Sequence, residues 1–361
     1  MEARYDRQIR LDEVGLSGQK KLMAAKVLVV GAGGLGCPAL QYLAAAGVGT
    51  LGIVDFDLVT LTNLHRQILF DQNDLGKNKA QVAKNKLEKL NSSIHIEAYD
   101  TAFNAENGFD LVAAYDLVVD ASDNFETRYC INDCCVLLNK PMIYGALYKF
   151  QGQVAVFNYL GGPTYRCLFP TPPQAEEVPN CDTVGVLGVV PGVLGVMQAT
   201  ETLKIILSLE GVLSAKLLSY DLLKHHIQLL DFKPNKEAIA ELKKSKQIQQ
   251  QSTNQCAQDV EIGLSDLTNN SNLIWVDVRE LHETPQLSIS NLRHLPPSKW
   301  ETHGQQLEEA PLKIFFCQSG QRGRKAAAYF RKKGISNCFA LKVGAAALEA
   351  WINNTQHEKT T

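Results

Sequence analysis

The sequence predicts an α/β protein built on a largely parallel sheet, and three observations lead there. Short apolar runs at 26–30, 51–54 and 116–120 have the length and burial character of strands. Segments with helical periodicity stand between them, at about 35–46, 78–90 and 126–139. Strands that alternate with helices in this way pair in parallel, because each helix carries the chain back across the sheet.

Taken in order, 26–30 is a short strand, apolar after Lys26, followed by a glycine loop and an apolar helix that Gly47 stops. The strand at 51–54 ends in Asp55, and the lysine-rich stretch 78–90 reads as a helix. Residues 94–99 alternate like a strand, 116–120 is another buried strand, and 126–139 is a helix. Further strands are expected at 142–147 and 153–158, a long apolar helix at 193–207, and a closing hairpin from 216–220 and 226–232. Composition then shifts, because 236–259 is rich in Lys, Gln, Ser and Asn and poor in large apolar residues. A domain over 1–235, a linker over 236–262, which can begin as an exposed helix, and a domain of roughly 90 residues over 263–356 are expected. In the second domain, 274–278 is a strand and 313–333 a strand–loop–helix unit.

Bulk properties narrow the function. A net charge of −2 over 361 residues provides no field for nucleic acid or an anionic membrane. The N-terminus is too charged for a signal peptide. The longest apolar stretch, 184–197, is broken by Pro191 and several glycines, and a span needs about 20 residues, so no membrane segment is expected. Nine irregularly spaced cysteines without a secretory signal read as reduced thiols of a cytoplasmic protein.

Gly31-Ala32-Gly33-Gly34-Leu35-Gly36 fits G-x-G-x-x-G between strand and helix, the Rossmann-like position for phosphate. Asp55, ending the next strand, suits a ribose hydroxyl. By itself this pattern is more often explained by an NAD or FAD domain. Asn63, Arg66 and Lys79 follow soon after, and Asp123 follows the strand ending at Asp120. A triphosphate attacked at its α-phosphorus needs cations on its outer oxygens and a carboxylate for Mg²⁺, whereas a dinucleotide needs few cations. Either cation alone would more simply be a solvated surface charge.

The ordered runs Arg4-Tyr-Asp-Arg-Gln, Gly-Ala-Gly-Gly-Leu-Gly-Cys-Pro, Asp-Phe-Asp-Leu-Val, Asn-Leu-His-Arg-Gln, Gly-Lys-Asn-Lys-Ala and Asp-Ala-Ser-Asp-Asn-Phe-Glu-Thr-Arg resemble the ubiquitin-activating-enzyme-like superfamily through about residue 232. The resemblance is strongest to its molybdopterin-synthase adenylyltransferase (MoeB) branch, with the thiazole-pathway ThiF enzymes close by. It implies that Gly31, Gly33, Gly34 and Gly36 surround the phosphates of ATP and that Asp55 binds ribose. It also implies that Asn63, Arg66 and Lys79 hold the triphosphate and that Asp123 holds Mg²⁺. It implies a homodimer in which Arg7 reaches into the partner's site. The expected reaction is ATP-dependent adenylation of the C-terminal glycine of a ubiquitin-like sulfur-carrier protein ending in Gly-Gly. Relatives carry a cysteine in the crossover loop, here Cys181, proposed to bond the activated carrier; an inert loop thiol is the alternative. Relatives also hold Zn²⁺ with two Cys-x-x-Cys pairs. Here the first pair would be Thr164 and Cys167, and the stretch after Leu230 holds no Cys or His to 240, so the zinc site is expected to be lost.

Downstream, the apolar run 314–316 leads into Cys317-Gln318-Ser319-Gly320-Gln321-Arg322 and a helix. A thiol at a helix N-terminus beside an arginine is placed to carry anionic sulfur. A buried structural cysteine is the plain alternative. This segment resembles a rhodanese domain, with Ile274-Trp-Val-Asp-Val-Arg279 as its early strand and Val343-Gly344 with Trp351 as its late motif. Its Cys-x4-Arg loop is tighter than the Cys-x5-Arg of related phosphatases, whereas 280–296 departs from the usual pattern. The resemblance implies a persulfide on Cys317, loaded by a donor such as a cysteine desulfurase, that turns the adenylated carrier into a thiocarboxylate. Two rival classes remain, a nicotinamide or flavin oxidoreductase and a non-catalytic partner of another activating enzyme. A ubiquitin-type activator would need further domains, for which 361 residues are expected to be too few.

Overall fold

In a computed structural model, the structure describes residues 2–173, 185–245, 261–267, 273–280, 283–300, 307, 312–318 and 320–358. The chain divides into two compact units, Met1–Gln250 and Gln251–Thr361.

The first unit runs α1 (Glu2–Ile9), α2 (Gly15–Ala24), β1 (Lys26–Val30), α3 (Gly36–Ala46), β2 (Thr50–Val54), α4 (Lys79–Leu90) and β3 (His95–Tyr99). It continues through α5 (Gly108–Ala113), β4 (Leu117–Asp120), α6 (Phe125–Leu137), β5 (Met142–Tyr148), β6 (Gln151–Phe157) and α7 (Tyr165–Leu168). It closes with α8 (Val189–Leu207), β7 (Lys216–Asp221), β8 (His226–Asp231) and α9 (Lys236–Ser245). Its eight strands form one sheet in the order β3-β2-β1-β4-β5-β6-β7-β8. The strands from β3 to β5 pair in parallel, and β5 to β8 pair antiparallel. The α/β, Rossmann-like class read from the alternation of runs is the class found.

Strand β1 shows why this sheet is doubly covered. Its alternate residues enter separate cores, Val27 and Val29 on one face, Leu28 and Val30 on the other. A continuous apolar run therefore makes a strand with no solvent face.

Helix α8 starts at Val189, four residues before the expected start. Pro191 falls in its first turn, where a missing N–H costs nothing. With 19 residues and a mean hydropathy of 1.2 in its most apolar window, α8 is long and apolar enough to cross a membrane. It packs instead against α3, β5 and β6, with Val190, Leu194 and Ala199 in the core. At Gly195 an added Cβ would lie 2.2 Å from the Leu35 carbonyl oxygen, so the two helices touch at backbone distance.

Two boundaries differ from the expected ones. The stretch 236–245, expected to be linker or an exposed helix leading into it, is helix α9, which packs on α6 and buries Leu242, so the first unit extends past 235. An amphipathic helix with few large apolar residues reads as linker in composition because a narrow stripe is enough to dock it. In the second unit, a short strand β9 (Glu261–Ile262) lies inside the stretch expected to be linker and pairs with the sheet. There β10 (Ile274–Asp277), β11 (Leu292–His294), β12 (Lys313–Phe316), α10 (Gln321–Lys332), β13 (Cys338–Leu341) and α11 (Ala345–Glu358) follow. Its order is β11-β10-β12-β13-β9, every pair parallel.

Candidate active sites

Neighbours β1 and β4 mark the point where strand order reverses, since β2 and β3 lie beyond β1, and β5 lies beyond β4. Chains leaving the carboxyl ends of two such strands diverge and open a crevice. Gly31 leaves β1 with φ +98°, and a Cβ there would meet the Ala121 carbonyl at 2.6 Å. A Cβ on Gly36 would lie 1.9 Å from the Gly31 carbonyl oxygen. Any side chain at either position breaks the loop, which is why the turn after β1 can lie directly against the turn after β4. A Cβ at Gly33 would approach only the amide of Gln67, at 3.7 Å. One at Gly34 would lie 3.0 Å from Pro191 of α8 and 3.6 Å from Arg66 Cγ. Leu35 at the N-cap of α3 supplies no side-chain acceptor for the first-turn N–H groups, the donors that suit an anion.

Acidic and basic groups converge on this loop. Asp55 accepts the Ala32 N–H at 2.8 Å and the Asp57 N–H at 2.9 Å, which ties the end of β2 to the glycine loop. Burial pushes the Asp55 carboxyl up, against the opposing charge of Lys79 and the Ala32 hydrogen bond. Lys79 is buried, and its Nζ pairs with Asp57 Oδ2 at 2.9 Å. Asn78 caps α4, accepting the Gln81 N–H, and reaches back to the Asp55 carbonyl at 3.1 Å. Asn63 closes a single 3₁₀ turn (Leu61–Asn63) and accepts the Thr60 N–H. Its carbonyl accepts the Arg66 N–H at 3.0 Å, while Arg66 Nη1 donates to the Thr62 carbonyl at 2.9 Å and lies 2.9 Å from His65 Nε2.

Asp123 is exposed in the turn after β4. A buried network builds that turn. Arg128 Nε donates to Asp120 Oδ2 at 3.1 Å and its Nη2 to the Ser122 carbonyl at 3.1 Å. The Ser122 N–H and hydroxyl both donate to Asp120 Oδ1. Asn124 then caps α6 by accepting the Thr127 N–H at 2.8 Å. Asp57, Gln67 and the Asp120–Arg128 pair stand inside the motif runs quoted above but were given no role, because which groups they would meet is not visible in sequence order.

The structure brings Asp55, Lys79 and Arg66 to the glycine loop of Gly31, Gly33, Gly34 and Gly36, with Asn63 in the turn that precedes Arg66 and Asp123 in the turn after β4. It does not bring Arg7 there. The Tyr5 ring of α1 lies against Gly47 at the C-terminal end of α3, and Gln8 donates to the Ala46 carbonyl. The 11-residue helix α3 separates that end from the glycine loop by about 16 Å. Cys181 lies outside the described residues.

In the second unit, Cys317 follows β12 and is buried. Its sulfur accepts the Arg322 N–H at 3.2 Å, and its carbonyl accepts the Ala345 N–H at 2.9 Å. Gly320, with φ +88°, makes the left-handed turn into α10. The Arg322 guanidinium points to Glu283, with contacts of 2.6 and 2.5 Å. Arg279 is buried against Asp277 at 2.7 Å, and its Nη1 donates to Gln318 Oε1 at 3.2 Å. Burial opposes ionisation of Glu283, but the Arg322 hydrogen bonds and charge outweigh it and hold the carboxyl below its ordinary value. Ser319 and the side chain of Gln321 lie outside the described residues. Glu283 sits in the stretch 280–296 whose departure from the rhodanese pattern left no role to read.

A family model described as "ThiF family" matches residues 5–240. The chain belongs to the ThiF family. It is 53% identical over 238 residues to "Adenylyltransferase and sulfurtransferase MOCS3" of Anopheles gambiae, covering 66% of this chain and 54% of the relative. It is 50% identical over 237 residues to "Sulfur carrier protein adenylyltransferase" of Thermus thermophilus, covering 64% of this chain and 88% of the relative. The match spans about half the length of the MOCS3 relatives. The fold is similar to E. coli MccB solved with AMPCPP and MccA, with a TM-score of 0.57, 25% identity, and coverage of 64% of this chain and 72% of that one.

The residues at the expected zinc position do not fit the metal. Cys167 Sγ accepts the Thr164 N–H at 3.3 Å and the Asn235 N–H at 3.2 Å. The two ligand-bearing segments meet there, but Thr164 and Asn235 stand where thiolates would be needed. Nearby Phe232 packs on Phe157, which packs on Tyr165. Arg166 grips Asp133 through two hydrogen bonds at 2.7 and 2.8 Å. The ring chain Tyr165–Phe157–Phe232 links the two segments a metal would join, and the ion pair ties the first of them to α6. Elemental analysis of purified protein is expected to find far less than one zinc per chain, and a chelator is expected to leave its melting temperature unchanged. One tightly held zinc per chain would overturn this.

Proposed function

We propose that the first unit uses ATP to adenylate the C-terminal glycine of a ubiquitin-like sulfur-carrier protein ending in Gly-Gly. The observation that carries this reading is the β1/β4 switch point, where Arg66 and the Lys79–Asp55 side stand at the glycine loop and the turn after β4 presents an exposed carboxylate, Asp123. The names of the 50%-identical relatives, and the AMPCPP in the MccB structure, support it. They do not favour an oxidoreductase.

The carrier carboxylate attacks the α-phosphorus of ATP and pyrophosphate leaves. No protein nucleophile takes part; the chain positions the reactants and balances the charge on the departing phosphates. Loop N–H groups and the start of α3 hold phosphate oxygens, Asp55 takes the ribose, and Asn63, Arg66 and Lys79 take the outer phosphates. Lys79 would exchange its Asp57 partner for phosphate. Asp123 would hold Mg²⁺, which neutralises phosphate charge when bound. Among the described residues no group of three His, Cys, Asp or Glu side chains could hold an ion. That suits a metal carried largely by substrate phosphates. Since α1 stands at the far end of α3 from its own loop, Arg7 could serve a site only in trans, which a homodimer would allow.

Cys317 in the second unit would carry a persulfide loaded by a protein donor such as a cysteine desulfurase. Its outer sulfur attacks the acyl carbon, AMP leaves, and a thiol then opens the acyl disulfide to free the thiocarboxylate. Covalent capture of the carrier by Cys181 would be a parallel route. The test is ATP–pyrophosphate exchange with and without a Gly-Gly carrier. Exchange that needs the carrier is expected; nicotinamide binding without exchange would sink the reading.

A further inference from the structure

Among the described residues, three arginines at or near the sulfur loop are each matched by a carboxylate. Arg322 is held by Glu283, Arg279 by Asp277, and Arg324, two residues on, by Glu261 at 3.1 Å. Glu283 is further fixed by the Glu280 N–H, which donates to its Oε1 at 2.8 Å. Among the described residues, the donor seen on the Cys317 sulfur is backbone, the Arg322 N–H at the start of α10. A backbone cradle suits one negative charge on sulfur. A small dianion needs a cation that is free to turn toward it.

We propose that Glu283 sets the choice of sulfur donor, cancelling Arg322 so that the loop disfavours dianionic thiosulfate and accepts sulfur from a persulfide bearing at most one charge. The inference rests on the sulfur-transfer reading of Cys317. In the favoured reaction, the Cys317 thiolate attacks the outer sulfur of the donor persulfide. The donor S–S bond breaks, the donor leaves as thiolate, and the outer sulfur, with its proton, is now bonded to Cys317. With thiosulfate the same attack expels sulfite, and both its negative charges must first enter the loop.

The test uses the full chain with two donors, thiosulfate and the persulfide of N-acetylcysteinamide, and cyanide as acceptor. Glu283→Gln removes one charge at nearly constant shape. It is expected to lower KM for thiosulfate about tenfold, the scale of one charged hydrogen bond, with kcat and the persulfide KM little changed. The gain should shrink as salt is raised. It should vanish in Glu283→Gln/Arg322→Gln, and Glu283→Asp should stay closer to the parent protein. An unchanged thiosulfate KM in Glu283→Gln, with sulfur still loading on Cys317 from the persulfide, overturns the role of Glu283 alone. A Cys317→Ser variant that transfers sulfur as well as the parent from both donors overturns the sulfur-transfer reading, and this inference with it.

Discussion

Asp123→Ala and Arg66→Ala are each expected to reduce carrier-dependent ATP–pyrophosphate exchange by about 10²–10³-fold, the usual effect of removing one preorganised charge partner from a reacting centre. Asp123 stands in the turn after β4, and Arg66 stands beside Gly34 across the glycine loop. Neither carries the fold. Asp123 is exposed, and the Arg66 side-chain hydrogen bonds are to its own turn. The melting temperature should therefore stay close to that of the parent protein while exchange collapses. Asp123→Asn separates shape from charge, and it should be nearly as inactive as Asp123→Ala if the carboxylate serves Mg²⁺. Normal exchange in both alanine variants would remove the adenylation site from this crevice.

The second large effect is on stability. Arg128→Ala is expected to destabilise the first unit by about 3–5 kcal/mol, because it leaves a buried carboxylate without its counter-charge. Asp120 is fully buried and meets Arg128 on one oxygen and Ser122 on the other. The same guanidinium holds the Ser122 carbonyl and stands 5.0 Å from the Tyr144 ring centroid. Arg128→Lys keeps the charge but not the fork to Ser122, and should fall between the two. Hydrogen exchange in peptides from β4 and α6 reads this directly. Protection within about 1 kcal/mol of the parent protein in Arg128→Ala would show that Asp120 is stabilised by other means.

Much of the fold was legible because local rules and global packing agree. The strand–loop–helix unit from Lys26 to Ala46 combines an apolar strand, obligatory glycines and a stop at Gly47, which has φ +84°. Each feature acts within a few residues. The start of α8 and the nature of 236–245 were less legible. Pro191 looks like a barrier unless it is known to sit in a first turn, and α9 is a helix whose docking depends on α6, more than a hundred residues earlier.

The sequence by itself determined the α/β class, the glycine loop, and the identity of the charged residues that follow it, since these are carried by residue type and spacing. Only the tertiary structure decided how those residues are used. It paired Lys79 with Asp57, set Arg128 beneath the Asp123 turn, left Arg7 at the wrong end of α3 for its own loop, and turned Arg322 toward Glu283. The physical reason is the range of the forces involved. Backbone preferences and hydrophobic periodicity act over one or two turns, whereas an ion pair is set by which strands become neighbours. Strand order at the β1/β4 switch point is a property of the whole sheet.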